Sequence, residues 1–423
     1  MFGLILVTFT LFATAVLALT PSWEANDEPD HVRNVETLAD GHWYRITPKS
    51  GFESHQAPLY YMLLAGYQRA MRLPVEMPDG QLGPIADNQL HGNYLHTVQQ
   101  DGKDQRHLDL LRLPSILFGL LAICFTYLAA RYISRDPWTP VVAAALVAGV
   151  PRFVFLAGVV NNDNLSNLLS AIGLALASGL VMRPSSSERG RLLGAALMGV
   201  VIGALALTKV TNVMVAPGLL LAVLLVARDR REGLRLAGLS LGVALVVSGW
   251  WFVQNQVRYG DPLAAHATTA HLRAVFPPLL QIAGPLERIF VQIPQGVYKS
   301  FWYISGYNQF VWRWFWYIPF WLLAAVGIGG LLLRRKAPGV AGGMLWVLSV
   351  MALGALAIVW ILGLQTSTEQ ARVAFVGLPA MAILVALGYE KLGLSPALRF
   401  LLPAIGLIGT VAAIRYNVVI PYS

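Results

Sequence analysis

Two adjacent acidic residues, Asp27 and Glu28, follow the first hydrophobic segment of this 423-residue chain. Charged groups are costly near hydrocarbon, so acids at a membrane boundary indicate chemistry. A carboxylate at the mouth of a membrane cavity can take a proton from an attacking hydroxyl or amine, and Asp27 is our candidate for that base. The alternative is that both are solvated loop acids, with Asp27 capping the short helix that follows.

A second acid, Asp163, stands in a run of asparagines between two apolar segments. An acid at this position could orient an acceptor, help to hold a metal ion, or stabilise positive charge on a sugar. Asn and Asp also favour helix N-caps, so capping of the next helix by Asn162 or Asp163 is an equal alternative.

Three cations, Lys209, Arg258 and Arg372, stand near the ends of apolar segments on the same side as the acids. Lys209 is the lysine that breaks the pattern of basic residues in alternate loops. A lipid-linked phosphate needs such cations, because negative charge grows on it as its bond to the sugar breaks. For Lys209 the alternative is a side chain that snorkels to the membrane surface.

The first loop also contains His31, His42 and His55, which leaves a divalent metal open. Glu28, His31 and Asp163 are the weak candidates for ligands. Their spacing matches no established ligand motif, and ordinary loop histidines are the favoured interpretation. The sequence has no P-loop, dinucleotide-binding glycine pattern or nucleophile elbow, so no cofactor is predicted.

Composition excludes an ordinary soluble domain. Apolar residues make up 56% of the chain and charged residues 13%, with a mean hydropathy of +0.58. These values predict an all-α multi-pass membrane protein, with residues 1–423 forming one integral domain. The net charge of +9 does not indicate nucleic-acid binding, because the basic residues fall in short clusters between apolar segments. Cys124 is the only cysteine, so an intrachain disulfide is excluded.

Apolar runs long enough to cross about 30 Å of hydrocarbon predict roughly 11 transmembrane helices. The predicted spans are residues 2–20, 110–130, 138–158, 164–182, 192–208, 211–227, 236–253, 315–333, 340–362, 373–390 and 398–414. Two large outer loops remain, at about 21–109 and 254–314. Within the first, 30–38 and 58–73 are predicted to be short juxtamembrane helices and 74–107 an irregular loop.

Arginine and lysine clusters occupy every second loop, and the positive-inside rule places those loops in the cytoplasm. The N-terminus is then cytoplasmic, the C-terminus lies outside, and every loop with a candidate site residue is outside. Residues 1–20 have no basic n-region, which favours a retained helix over a cleaved signal peptide. The cytoplasmic loops are too short for a nucleotide-binding domain, so an activated donor must come from the membrane or the outer side.

A series of short motifs is distributed along nearly the whole chain. They are Asp27 to His31, Ser54 to Tyr61, Leu111 to Leu113, Asn161 to Asp163, Gly203 to Lys209, Gly249 to Trp251 with Asn255, Tyr259 to Leu263, and Gln370 to Arg372 followed by Leu378 to Ala380. Together they resemble the GT-C superfamily of integral-membrane glycosyltransferases, in the branch of protein O-mannosyltransferases and aminoarabinose transferases.

The resemblance implies transfer of a sugar from a polyprenyl-phosphate donor to an acceptor outside the cytoplasm, with inversion at the anomeric carbon. It implies that Asp27 is the catalytic base, Glu28 its neighbour, and Asp163 the acid of the second loop. The implied contacts to the donor phosphate and substrate are Lys209, Arg258, Tyr259, Arg372, Gln370, His55, Gln56 and Tyr60. The sequence departs from the family pattern at Gln254, where many relatives have Arg, and at Ala57, which replaces a proline.

The expected partners are a polyprenyl-phosphate sugar, membrane lipids and an acceptor that is a lipid, a glycan or a protein. The expected location is a bacterial inner membrane. One alternative is a transporter or flippase for a lipid-linked substrate, but transporters place coupling residues near mid-membrane in repeated halves, and this chain shows no such repeat. Another is a non-catalytic GT-C-like subunit, against which Asp27, Asp163 and Lys209 together argue.

Overall fold

The computed structural model describes residues 1–25, 27–47, 50–74, 102–275, 284–304, 311–333, 342–366 and 370–415. These residues form helices and connecting turns without any strand, which confirms the predicted all-α class. Eight helices in the described ranges are long and apolar enough to cross a membrane, and a bent pair of helices provides a ninth span if it is counted as one. The chain is therefore an integral membrane protein.

The first half of the chain forms ten helices over the described residues. They are α1 (Phe2–Leu19), α2 (Glu28–Ala39), α3 (Leu59–Met71), α4 (Gly102–Ile133), α5 (Trp138–Ala148), α6 (Pro151–Ala157), α7 (Asp163–Met182), α8 (Glu188–Thr208), α9 (Ala216–Leu225) and α10 (Arg230–Tyr259). Helices α2 and α3 confirm the two short helices predicted within the first outer loop.

The second half adds α11 (Ala265–Val275), α12 (Pro285–Glu287), α13 (Ile293–Ser300), α14 (Ile318–Leu333), α15 (Gly342–Thr366), α16 (Leu378–Lys391), α17 (Pro396–Arg399) and α18 (Leu401–Ile414). Shorter 3₁₀ turns lie at Phe52–His55, Val210–Val215, Trp314–Tyr317 and Ala371–Gly377, and a π-helical turn lies at Arg288–Gln292. The second outer loop begins later than predicted, because α10 continues to Tyr259.

Small residues set the closest helix contacts. Helix α4 packs against α5 and α7, α8 packs against α10, and α14 packs against α16. An added Cβ on Gly388 of α16 would overlap the carbonyl group of Gly327 in α14. Glycine therefore allows the two backbones to approach more closely than any larger side chain would, as in other membrane helix pairs.

The predicted span 138–158 is bent in the middle. Helices α5 and α6 meet at an angle of 67° around Gly149 and Val150. Pro151 opens α6, and a proline has no backbone N–H to continue the hydrogen bonds of the preceding helix. The break directs the next residue, Arg152, into the bundle, where its backbone N–H donates to the Trp302 carbonyl at 2.8 Å.

Two other predicted segments differ from a full crossing. Val210–Leu225 and Leu401–Ile414 are apolar but shorter than the other spans, so the count of 11 crossings stays a prediction. The interpretation of 74–107 as irregular loop was wrong at its end, because α4 begins at Gly102. The first turn of α4 is joined to the α1–α2 connection by Gln105, whose side-chain oxygen accepts from the Ser22 backbone N–H at 2.6 Å. Residues 75–101 of that interpretation lie outside the described residues.

A fully buried ion pair joins the first outer loop to the longest helix. Arg112 of α4 donates to both carboxylate oxygens of Glu28, at 2.9 and 2.6 Å. The same guanidinium donates to the carbonyls of Leu17 and Thr20 at the end of α1, and the Val160 N–H donates to Glu28 at 2.9 Å. One pair of side chains therefore fixes the α1–α2 connection, α4 and the turn before α7 relative to each other.

We expect Arg112→Met to destabilise the fold strongly, by about 3–5 kcal/mol, because it leaves Glu28 buried without a counter-charge. Glu28→Gln should destabilise it less, because Arg112 keeps an ion pair with Asp109 at 3.1 Å. The double variant should lose less than the sum, since neither buried charge then remains. Thermal unfolding in detergent measures both effects. Arg235→Ala is the control, because its pair with Glu188 is exposed. An Arg112→Met protein that melts with the wild type would contradict this interpretation.

Candidate functional site

The candidate base Asp27 pairs with an arginine that lies 345 residues away along the chain. Asp27 immediately precedes α2, and Arg372 is the second residue of the 3₁₀ turn before α16. The Asp27 carboxylate accepts a hydrogen bond from Nη2 of Arg372 and caps no backbone N–H of α2. The capping alternative for Asp27 is therefore not what the structure shows.

Asp27 has a left-handed backbone, with φ at +63°. This conformation is unfavourable for most L-residues and is best tolerated by Gly, Asn and Asp. It turns the chain sharply between the α1–α2 connection and α2. The neighbouring side chains, Asp27 and Glu28, consequently bind different arginines, Arg372 and Arg112.

The second acid forms a similar pair. Asp163 is the first residue of α7, and its Oδ1 atom accepts from the Lys209 ammonium at 2.8 Å. Lys209 lies between α8 and the following 3₁₀ turn. The other carboxylate oxygen of Asp163 is buried and has no hydrogen-bond partner in the described part of the chain. The pair therefore keeps one acceptor atom available for a substrate.

Electrostatics keep Asp27 ionised. Burial is the largest single influence and would raise its pKa, but the charge and hydrogen bond of Arg372 and the charge of Lys209 are among the influences that together outweigh burial and hold the pKa below its usual value. Burial lowers the pKa of His31 to about 3, so this ring is neutral, and its Nδ1 atom shares a hydrogen bond with the Tyr61 hydroxyl at 2.8 Å. Asp27 is therefore in the form that a general base requires.

Glu53 is a third acid at the site, and the sequence analysis missed it. Burial, followed by the charge of Asp27, raises its pKa to about 8. Its Oε2 atom has no partner among the described residues, while Asn34 of α2 donates to its backbone carbonyl at 2.9 Å. An acid immediately before the Ser54-His55 motif was the available signal. It resembled an ordinary loop residue because nothing in the sequence shows that it is buried.

Arg152 is a further cation that the sequence analysis missed. It is fully buried and interacts electrostatically with Arg372, Asp27 and Asp163, so it belongs to the same cluster. Its Nη2 atom lies 3.4 Å from the side-chain oxygen of Gln370. The available signal was an arginine inside an apolar run, which by itself suggests a functional position.

Glu28 lies apart from the Asp27 pair. Its carboxylate is fully buried and bound by Arg112 and the Val160 N–H. This arrangement fixes the segment that contains Asp27, and the catalytic role predicted for Glu28 stays a prediction.

The other predicted binding residues line the first outer loop. His55 Nδ1 is 2.8 Å from the Phe52 carbonyl, and its Nε2 atom is 3.1 Å from the Gln56 amide. The Tyr60 hydroxyl is 3.4 Å from that of Ser115. The two His55 contacts are local to the loop, whereas the Tyr60 contact joins α3 to α4.

The end of α10 is tied to the same loop. The Tyr259 hydroxyl accepts from the Ile46 N–H at 3.0 Å. Arg258 is half-buried, and its Nη1 atom has no partner in the described ranges. Of the predicted cations, Lys209 and Arg372 are therefore brought to the acids, and Arg258 lies beside the loop near Tyr44.

No group of three or more His, Cys, Asp or Glu side chains that could hold a metal ion occurs in the described residues. The three weak candidates have other partners: Glu28 binds Arg112, His31 binds Tyr61, and Asp163 binds Lys209. Each of the three candidate ligands is therefore bound to another side chain in this structure.

Part of the chain matches known proteins. Residues 105–251 match the family model described as dolichyl-phosphate-mannose-protein mannosyltransferase. A curated relative, the undecaprenyl phosphate-alpha-4-amino-4-deoxy-L-arabinose arabinosyl transferase of Pseudomonas paraeruginosa, is 31% identical over 152 residues, which are 36% of this chain and 27% of the relative. This chain therefore spans about a quarter of that relative's length.

Solved structures show more distant likenesses. An oligosaccharyltransferase from Archaeoglobus fulgidus, tethered with an acceptor peptide, has a TM-score of 0.49 at 15% identity. The match covers 100% of this chain and 54% of the oligosaccharyltransferase chain. ArnT from Cupriavidus metallidurans in the apo state has a TM-score of 0.44 at 19% identity, and the match covers 92% of this chain and 77% of the ArnT chain. The predicted resemblance to membrane glycosyltransferases is confirmed over residues 105–251, the segment that contains Arg112, Arg152, Asp163 and Lys209.

Glu53 provides a test of the site's electrostatics. Between its ordinary pKa of 4.5 and its folded value of about 8, the unfolded chain carries Glu53 ionised and the folded chain carries it protonated. Stability therefore falls as pH rises through this range, by an amount on the order of several kcal/mol. Glu53→Gln should melt at a higher temperature than wild type at pH 8 and at nearly the wild-type temperature at pH 4.5.

Thermal melting in detergent between pH 4.5 and 8.5 measures this difference, with the exposed variant Glu188→Gln as control. A constant gap between Glu53→Gln and wild type over the whole range would show that Glu53 keeps an ordinary pKa in the fold.

Proposed function

We propose that this protein is a membrane glycosyltransferase that moves a sugar from a polyprenyl-phosphate donor to an acceptor outside the cytoplasm. The observation that carries the proposal is the cluster formed by the pairs Asp27–Arg372 and Asp163–Lys209. Each pair couples an acid to a cation, and each keeps a buried polar atom without a partner in the described residues, namely Arg372 Nε and Asp163 Oδ2.

The acid side of this cluster suits the acceptor. As the acceptor hydroxyl or amine attacks the anomeric carbon, its proton passes to the Asp27 carboxylate. The new bond to the sugar forms while the bond between the anomeric carbon and the phosphate oxygen breaks. Both electrons of the broken bond leave with the polyprenyl phosphate. A single displacement of this kind inverts the anomeric carbon.

The cation side suits the donor. Arg372 can hold Asp27 through Nη2 while its unpartnered Nε atom donates to a phosphate oxygen. The second carboxylate oxygen of Asp163 can accept from a sugar hydroxyl while Lys209 holds the first. These contacts bring the acceptor, the sugar and the leaving phosphate to one cluster, and proximity of this kind is itself a large part of catalysis.

The names of the matched family and of the relative support a lipid-linked donor. The family name specifies dolichyl-phosphate-mannose, and the relative's name specifies an undecaprenyl-phosphate sugar. The outer-side location is supported by the arginine and lysine clusters in alternate loops, which by the positive-inside rule favour site loops away from the cytoplasm.

Asp27→Asn is the first test of this function. The change removes the base with little change in volume, and Asn tolerates the left-handed backbone at this position. We expect sugar transfer from a polyprenyl-phosphate donor to fall by about 10²–10⁴-fold. Donor binding should persist, because the arginine partner remains.

The assay is transfer of labelled sugar by purified protein from a panel of polyprenyl-phosphate sugars. Asp40→Asn is a matched control, since this exposed acid lies at the opposite end of the same helix. Full turnover by Asp27→Asn would remove Asp27 from the mechanism.

The second pair should behave as a unit. Lys209→Met leaves Asp163 as an uncompensated carboxylate within the site, so we expect lower donor affinity and slower transfer. Adding Asp163→Asn should recover part of the donor affinity, because the orphan charge that repels the phosphate is then gone. Strictly additive losses in binding assays would show that the two side chains act independently.

A further inference from the structure

The cations of the site differ in whether an acid neutralises their charge. Arg372 is paired with Asp27, and Lys209 is paired with Asp163. Arg152 is fully buried, yet no carboxylate of the described residues lies within ion-pair distance of it. Its Nε and Nη1 atoms have no hydrogen-bond partner, and the remaining contacts are the Gln370 oxygen at 3.4 Å and the face of the Phe155 ring at 5.5 Å.

An unpaired buried guanidinium is costly. Arginine does not give up its proton in proteins, so it cannot avoid the cost by becoming neutral. A buried charge without a counter-ion is strongly destabilising unless something compensates it. A planar guanidinium with free N–H groups fits a phosphate through two parallel hydrogen bonds. Arg152 therefore has the properties expected of an anion-binding residue.

A second residue with an unpartnered side-chain donor is hydrogen-bonded to Arg152 through the backbone. The Arg152 backbone N–H binds the Trp302 carbonyl at 2.8 Å, which joins the two residues directly. The indole Nε1 of Trp302 is also buried without a partner in the described chain. Buried indole N–H groups normally find an acceptor. Two neighbouring residues thus offer unused donors and no acceptor of their own.

Trp302 also lines an apolar cavity of about 680 Å³ between α5, α14, α15 and α16. Val150, two residues before Arg152, lines it as well. Trp321, Trp346 and Met381 are among the other lining side chains, and Ser349 is the one polar residue in the lining. The cavity suits a hydrocarbon chain, and the unpaired donors of Arg152 and Trp302 suit an anionic head group. A lipid with an anionic head has both parts.

We propose that Arg152 and Trp302 bind the phosphate of a polyprenyl phosphate whose hydrocarbon chain occupies this cavity. The assignment rests on the proposed function and deepens it by naming the residues that hold the lipid. It also divides the work among the cations. Arg372 and Lys209 are already neutralised by acids, so Arg152 supplies the uncompensated positive charge that balances the leaving phosphate.

Binding of radiolabelled undecaprenyl phosphate to the full chain in nanodiscs tests the head of the site. Arg152→Gln should weaken binding at least about tenfold, and Arg152→Lys should recover part of the loss, because it keeps the charge and not the planar fork. The control is Arg235→Gln, which removes an exposed arginine that is paired with Glu188 and not with an acid of the cluster. Trp302→Phe should weaken binding by a smaller factor, because it removes one neutral donor.

Thermal melting of the lipid-free variants separates binding from structure. If Arg152 serves an absent anion, Arg152→Gln removes an uncompensated charge and should melt at or above the wild-type temperature while its lipid affinity falls. A merely structural arginine would give the reverse, with a lower melting temperature and unchanged affinity for the lipid phosphate. That second result would overturn the proposal.

Two adjacent alanines of α14 test the tail of the site. Ala324 lines the cavity, whereas Ala325 is exposed on the outer surface of the same helix. Ala324→Phe should reduce the affinity for undecaprenyl phosphate and Ala325→Phe should not. Inorganic phosphate should compete only weakly with the bound lipid, because it lacks the chain. Equal affinities of the two alanine variants, or competition by inorganic phosphate as strong as by the lipid, would exclude this cavity as the tail site.

The binding result is independent of turnover. Wild-type protein that binds undecaprenyl phosphate through Arg152 but transfers no sugar from any donor would support this site and refute the transferase proposal. Sugar transfer that persists with unchanged lipid affinity in Arg152→Gln would support the transferase and refute the site.

Discussion

The structure depends on the compensation of buried charge, and the Glu28–Arg112 pair is where this is most complete. Arg112 binds both oxygens of Glu28 and two carbonyls at the end of α1, and Glu28 also accepts from the turn before α7. In a low-dielectric environment neither charge is tolerated alone. The pair therefore fixes the distance between the loop that presents Asp27 and the helix that begins with Asp163.

Around this fixed pair the site contains charges that are only partly compensated. Asp27 and Asp163 each hold one cation and keep capacity for another contact, Glu53 is buried and protonated at neutral pH, and Arg152 has no acid. A cluster that is incomplete by itself becomes complete when substrate supplies the missing charge and hydrogen bonds. Preorganised polar groups of this kind stabilise charge during a reaction because they do not have to reorient.

The sequence predicted the helices well because apolar runs report directly on crossings of a membrane. It also singled out Asp27, Asp163, Lys209 and Arg372, each a charged residue at the end of an apolar run, and the structure joins these four in two acid–cation pairs. It could not show which acid pairs with which cation, because the partners of Asp27 and Asp163 lie 345 and 46 residues away. Arg152 was hidden within a predicted span, and the bend at Pro151 that directs it inward is a tertiary feature.

The left-handed backbone at Asp27 shows that this position has two separate requirements, one on the backbone and one on the side chain, which the sequence does not distinguish. Position 27 must first accept a positive φ and only then provide a carboxylate. Among variants, Asn and Gly meet the first requirement without the second, and Glu meets the second at a backbone cost of about 1–2 kcal/mol. The geometry of one peptide unit, as much as acidity, therefore limits which side chains this position can carry.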